Sequence, residues 1–192
     1  MNTDIRLIAD RLYLRPFCRD DATSFAEAAR ESATSMRAWM PWCHADYTPG
    51  EAQVWFDDCA NNWQTETAYE FGIFAEVDHM LLGDVGINQF NRGHNFANAG
   101  YWVRQSRQRH GIATRAVRCV ARFGFEQLKL TRLEIVVAEG NEPSRRLAEK
   151  IGAQFECVAQ NRLVLRNQPC AAAVYALLPH TLKHDVTGVT HA

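Results

Sequence analysis

The sequence predicts an α/β domain, and three observations carry that prediction. Apolar residues recur at every second position in segments such as Phe71, Ile73, Ala75 and Val77, which is the period of a half-buried strand. Elsewhere they recur at steps of three and four. Between Ile112 and Leu128 the residues Ala113, Ala116, Val117, Val120, Ala121, Gly124 and Leu128 fall on one side of a helix, with Arg115, Arg118 and Arg122 on another. Lastly, two strands run into glycine-bearing turns that open helices, one at 108–114 and one at 140–144.

The elements follow in order. Arg11 to Phe17 alternates Leu12 and Leu14 with polar neighbours and reads as a first strand. Asp20 or Asp21 caps a helix whose apolar face is Ala22, Phe25, Ala26 and Ala29. From Met36 to Tyr47 the periodicity breaks into an aromatic-rich loop containing Pro41. Thr48-Pro49-Gly50-Glu51 carries an N-cap, a proline and a nearby acid, so a second helix starts there and runs to about Trp63. A strand follows over Phe71–Val77, a turn at Asp78-His79, and a further strand containing Val85 and Ile87. Asn91-Arg92-Gly93-His94-Asn95 is a loop by composition, and Tyr101-Trp102-Val103 is a strand entering the first glycine turn. Leu133–Ala138 is the next strand, and a helix runs from Pro143 to Ile151, stopped by Gly152 in the left-handed region. Phe155–Leu165 and Ala171–Leu178 close the fold as two strands joined through Asn167-Gln168-Pro169.

A chain of 192 residues with 47% hydrophobic and 22% charged residues forms one ordinary globular domain, taken as 1–182, with an unpatterned tail over 183–192. A net charge of −1 gives no global field toward nucleic acid or membrane. No apolar run approaches the ~20 residues that span a bilayer, and the first residues lack the pattern of a signal peptide. Six cysteines are scattered without a Cys-x-x-Cys pair, the usage of reduced thiols in a cytoplasmic protein. Cys43-His44-Ala45-Asp46 fits no common zinc spacing, so no metal is expected. His180, His184 and His191 fall in or near the tail, with no catalytic role expected.

The turn Gln108-Arg109-His110-Gly111-Ile112-Ala113-Thr114 has the makings of an anion site. Unpaired N–H groups and the positive end of a helix dipole attract a phosphate, while Gly111 and Ala113 add no bulk. A capping glycine in an ordinary strand-helix loop would read the same way. In the second turn, Asn141 as N-cap would accept a hydrogen bond from the N–H of Ser144, which explains the Asn without demanding the Ser.

These motifs together resemble the GNAT acyltransferase superfamily from about Arg11 to Leu178. Its acetyl-CoA signature, Gln/Arg-x-x-Gly-x-Gly/Ala, stands here as Gln108-x-x-Gly111-x-Ala113. Within it the chain is similar to the RimJ/RimL ribosomal-protein N-acetyltransferases. That finer resemblance rests on Arg11–Pro16, Trp39-Met40-Pro41-Trp42, Ala99–Val103 and Ser144–Gly152. The resemblance implies a mixed, mostly antiparallel sheet flanked by helices. It implies acetyl-CoA as co-substrate, held by Gln108–Thr114 and Asn141, with pantetheine along the backbone of Tyr101, Trp102 and Val103. It implies Ser144 beside the CoA sulfur as donor to the departing thiolate, a fair leaving group already at a thiol pKa of ~8.5. Arg115 and Arg118 either approach the CoA phosphates or form a solvated helix face. Trp39 and Trp42 either wall the acceptor pocket or plug the core.

The general base is open. Relatives carry an acid near the penultimate strand or the hairpin after it, but 157–172 contains no Asp or Glu. Glu70, Glu139, Asp84 and His94 are candidates, as are a water relay or an α-amine (pKa ~7.7–8.0) that arrives partly deprotonated. Arg162 and Arg166 in that acid-free segment suggest an anionic acceptor. The acceptor is a peptide N-terminus or a small amine. The alternative from another class is an acetyl-CoA-binding regulatory module that has lost catalysis. Some relatives pair as dimers, and the closing strands offer an edge for that.

Overall fold

A computed structural model describes residues 5–182, so the tail expected over 183–192, with His184 and His191, lies outside the described residues. Eight strands form one sheet: β1 (Leu7–Ala9), β2 (Leu12–Arg15), β3 (Tyr69–Ala75), β4 (Leu81–Asn91), β5 (Phe96–Val103), β6 (Arg132–Ala138), β7 (Gln154–Leu165) and β8 (Gln168–Leu177). Four helices accompany them: α1 (Ala22–Met36), α2 (Pro49–Thr65), α3 (Ile112–Glu126) and α4 (Glu142–Lys150). The spatial order is β1-β2-β3-β4-β5-β6-β8-β7. Every neighbouring pair is antiparallel except β5 and β6, which run parallel and are joined through α3. The mixed, mostly antiparallel sheet expected from the resemblance is the sheet observed.

Strand alternation divides the apolar residues between two cores. Leu12, Leu14, Phe71, Ile73 and Val103 pack with α3 on one face. Tyr13, Phe74, Leu81 and Trp102 pack with α1 and α2 on the other. Phe25 of α1 is the hub of the second core, its ring within 6.0 Å of Trp42, Tyr47, Phe56 and Trp102. Burying a side chain of that size contributes roughly 1.5–3 kcal/mol. Gly124 lets α3 lie close on the sheet, since a Cβ there would stand 2.7 Å from Ile87 Cδ1.

Local signals held where caps and spacing were explicit. Thr48 caps α2, its hydroxyl accepting from Glu51 N–H at 3.2 Å while the Glu51 carboxylate accepts from Thr48 N–H at 2.9 Å. Gly152 ends α4 at φ 93°. Four expectations are corrected. A short strand β1 precedes the first one, turned by Asp10-Arg11. Asp21 does not cap α1, because its carboxylate is taken by a bidentate pair with Arg15 at 2.7 Å on each oxygen. The strand ending in Val103 begins at Phe96. The last reversal sits at Arg166-Asn167, both at positive φ, and Pro169 lies within β8 opposite Val164.

The chain leaves β5 through a short 3-10 turn that α1 holds in place. Glu31 accepts from Arg104 Nε at 2.9 Å and from Ser106 N–H at 2.7 Å, while Ser32 Oγ accepts from Gln105 N–H at 3.0 Å. Burial alone would raise the Glu31 pKa, but the Arg104 and Ser106 bonds outweigh it and bring it down to about 2. A carboxylate with a depressed folded-state pKa contributes stability above its ordinary value near 4.5, and that contribution fades as pH falls toward 2. We therefore expect Glu31→Gln to lower the unfolding free energy at pH 7 by about 1 kcal/mol, a figure already reduced for solvent screening. Denaturant titrations of variant and wild type should converge between pH 4.5 and 2; a gap independent of pH contradicts this role.

Candidate active site

The site begins where β5 and β6 part. They pair in register only over Phe96–Asn98 with Arg132–Glu134. Beyond that β5 continues to Val103 against β4, and β6 continues to Ala138 against β8. The bond from Arg104 N–H to Leu82 C=O sets the phase of the β4–β5 ladder. Counting back by twos, Trp102 and Gly100 turn their N–H and C=O toward β4. Ala99, Tyr101 and Val103 turn theirs into the gap. Gln108 closes one of these groups, its Nε2 donating to Val103 C=O at 3.0 Å.

At the wide end of the gap the side chain of Tyr101 spans from β5 to α4. Its hydroxyl lies 2.7 Å from Ser144 Oγ and 3.3 Å from Ser144 C=O. Asn141 Oδ1 accepts from Ser144 N–H at 3.3 Å, the cap read from sequence, and fixes the first turn of α4 under Tyr101. Burial, the largest effect, outweighs the Ser144 bond and raises the Tyr101 pKa to about 12, so this phenol keeps its proton at neutral pH. The side-chain role of Tyr101 has no signal in the sequence, since it depends on where α4 comes to lie.

Gly111 takes φ 73° as the residue before α3, and no atom lies within 4 Å of where its Cβ would be. Gly111 thus leaves the approach to the start of α3 open, bordered by the half-buried Ala113 and Thr114 and buried Ile112. Arg109 and His110 are exposed beside it, with His110 Nδ1 2.7 Å from Gln108 C=O. Arg115 pairs with Asp10 at 3.2 Å, and Arg118 Nη2 donates to Lys150 C=O at 3.3 Å. The gap and the open helix start fit a pyrophosphate joined to an extended thiol arm: polar backbone without bulky side chains in front of it.

On the α1/α2 face of the sheet, next to Tyr101, is a cavity of about 430 Å³. Trp42, Tyr47 and Trp55 wall it; Glu70, Asp84 and Asn88 form its floor. Register explains the floor: Glu70 stands opposite Gly86, and Asp84 opposite Gly72 and Trp102, so all project to one face. A Cβ on Gly86 would lie 1.7 Å from Glu70 Oε2, so only glycine leaves room for that carboxyl. Asn88 Nδ2 donates to Glu70 Oε1 at 3.0 Å and is itself held by Asn98 at 3.0 Å.

Glu70 and Asp84 are both 6% exposed and hydrogen-bond to each other. Burial is the main cause that raises both pKa values. Glu70 is eased by its bonds to Asn88 and Asp84, whereas Asp84 is driven further up by the charge of Glu70. Two carboxyls this close cannot both ionise cheaply, so the pair shares one proton and one charge. Asp84 Oδ2 receives a hydrogen bond from no described donor.

The other predicted residues are placed as follows. Trp42 lines the cavity; Trp39 does not, and instead stands against Gly140 in the turn before α4. Glu139 is exposed in that turn and does not line the cavity. His94 is in the β4–β5 hairpin loop, at the opposite end of β5 from Val103. Arg162 is taken by Glu134 at 3.5 Å and Arg166 Nη2 donates to Arg37 C=O at 3.4 Å. Neither lines the cavity, which removes the ground for an anionic acceptor. Cys43 is a buried thiol donating to Ala29 C=O at 3.2 Å. No described helix is long and apolar enough to cross a membrane.

Comparison with known proteins agrees with this geometry. Residues 11–154 match the family model described as an acetyltransferase (GNAT) domain. A structure provisionally assigned as a ribosomal-protein-serine acetyltransferase from Vibrio cholerae superposes with a TM-score of 0.84 at 35% identity, covering 93% of this chain and 100% of that one. YdaF of Bacillus subtilis, provisionally a ribosomal N-acetyltransferase, is 28% identical over 82% of this chain and 86% of its own length. The spermidine N(1)-acetyltransferase of Escherichia coli K12 is 25% identical over 95% of both chains. With its splayed parallel strands, glycine turn and matched domain, this chain belongs to the GNAT acetyltransferase family, whose members use acetyl-CoA.

Proposed function

We propose that the protein transfers an acetyl group from acetyl-CoA to a primary amine, the α-amine at a protein N-terminus, with Glu70 as the base. One observation carries this reading: Tyr101, with Ser144 bonded to it, borders the same cavity as the proton-sharing Glu70–Asp84 pair. Tyr101 thus links the leaving-group donor Ser144 to the cavity that holds the acceptor base. A protein acceptor is supported by the names of the Vibrio cholerae and Bacillus subtilis relatives, which refer to ribosomal acetylation.

Acetyl-CoA supplies the activated thioester. The N–H groups of Tyr101 and Val103, free of the β4 ladder, hold the acetyl oxygen and the pantetheine amides. Residues 111–114 cradle the pyrophosphate with backbone N–H groups. An acceptor enters as an ammonium, and Glu70 takes its proton directly or through one water so that the neutral nitrogen can attack. Asn88 and Asp84 steady Glu70. As the C–S bond breaks, the Ser144 hydroxyl, hydrogen-bonded to Tyr101, gives its proton to the departing sulfur, and the surplus proton shed by the attacking nitrogen restores that hydroxyl through water, so Tyr101 keeps its own proton. Trp42, Tyr47 and Trp55 exclude water from the amine.

Two experiments test the assignment. Glu70→Gln should lower kcat by about 10²–10⁴-fold in a free-thiol release assay. Wild-type kcat/KM should fall on acidification through a value above the ordinary carboxylate range, because burial raises Glu70 and only its ionised form accepts a proton. A Glu70→Gln enzyme with unchanged kcat and the same acid limb removes Glu70 as base. For the leaving group, Ser144→Ala and Tyr101→Phe should each cost up to about tenfold in kcat, and together little more than either alone. A loss confined to the KM for acetyl-CoA would assign the pair to binding instead.

A further inference from the structure

Charge in the cavity points beyond a generic amine. Four of its lining residues carry a carboxyl group, Glu51, Asp58, Glu70 and Asp84, and none is Lys, Arg or His. Glu51, Val54, Trp55 and Asp58 follow the i, i+3, i+4, i+7 spacing of one helix face, so α2 presents an acidic group at each end of an apolar step. The two ends are about 10 Å apart at 1.5 Å per residue.

These acids differ in how they are engaged. Glu51 is occupied by the Thr48 cap and by His44, 3.0 Å away. Asp58 has no ion-pair or hydrogen-bond partner among the described residues. Glu70 and Asp84 hold one charge between them, and Asp84 Oδ2, on a residue only 6% exposed, lacks a donor. Cys59, next to Asp58 on α2, is a buried thiol. Burial raises its pKa most, and Asp84, Glu70 and Asp58 all push it further the same way. A single ammonium neutralises the Glu70–Asp84 charge and leaves Asp58 unanswered beside Trp55, whose ring face is itself suited to a cation.

We propose that the acceptor carries a second positive charge beside the amine that reacts, and that Asp58 on α2 is the specificity-determining residue that reads it. The inference rests on the reading of this cavity as the acceptor site. Its shared chemistry is a primary amine with a further cation a few bonds away. An aliphatic diamine and a protein N-terminus with Lys or Arg among its first residues both supply that.

The test compares matched acceptors with saturating acetyl-CoA and the full-length protein. One arm sets 1,4-diaminobutane against n-pentylamine; the other sets peptides Ser-Lys-Ala-Ala against Ser-Gln-Ala-Ala. The dicationic member should exceed its partner in kcat/KM by about tenfold at low salt, mostly through KM, with the gap narrowing as salt rises. The arm with the larger absolute kcat/KM identifies the source. Asp58→Asn should collapse that ratio several-fold, and Asp58→Lys should reverse it. Equal kcat/KM within both pairs, or a ratio untouched at Asp58, overturns the inference while leaving the acceptor site intact. Calorimetric binding of diaminobutane separates the two failures. Binding weakened by Asp58→Asn without turnover of any amine keeps the second charge and sinks the catalytic reading. No binding and no turnover overturns both.

Discussion

The active site depends on a parallel strand pair that pairs for only three residues. β5 is committed along its other edge to β4, and β6 along its other edge to β8, so neither can follow the other once they diverge past Asn98 and Glu134. An unpaired stretch of backbone inside a protein would ordinarily be costly. Here the N–H groups of Tyr101 and Val103 and the C=O of Tyr101 remain available to a ligand with its own amides, the C=O of Val103 being taken by Gln108. The gap is kept open by the polar bridge from Tyr101 to Ser144, and its entrance is fixed by Glu31 and Ser32 from α1. Sheet topology, rather than any one side chain, makes the gap proposed to take the thioester.

The acceptor side follows from a different constraint. A hairpin that reads as alternating apolar residues puts Glu70, Asp84 and Asn88 on one face of the sheet, and Gly86 leaves the room that the Glu70 carboxyl fills. Burial raises the proton affinity of both acids, the charge of Glu70 raises that of Asp84 further, and the pair shares one proton, with Asn88 bonded to Glu70. That is a stable arrangement only if the remaining negative charge is useful, because desolvating an unpaired carboxylate is expensive. In the proposed reading an incoming ammonium provides the compensation, and the pair takes the acid function that 157–172 lacks, from the other half of the chain.

Much of this was legible before any coordinates. The spacing of Gln108, Gly111 and Ala113 located the start of α3, and the Asn141 cap predicted its own bond to Ser144 N–H. Glu70 and Asp84 were visible as polar interruptions in alternating strands, though as separate candidates; seeing them as a pair required the register across the Asp78-His79 turn. Asp58 was missed because its helix face is defined only relative to the sheet. The Tyr101 phenol, the exclusion of Trp39, and the pairing of Arg162 with Glu134 are tertiary facts with no local trace. Asp21 shows the converse, a good cap residue drawn off by a stronger partner, Arg15.

The most direct test is a crystal structure with a bisubstrate analogue, CoA joined through an acetyl bridge to the nitrogen of an amine. The account predicts the sulfur within hydrogen-bonding reach of Ser144 Oγ, the bridging carbonyl oxygen on an N–H of Tyr101 or Val103, and the nitrogen against Glu70 in the aromatic cavity. An analogue whose nitrogen sits away from Glu70, or whose bridge bypasses the β5–β6 gap, contradicts it.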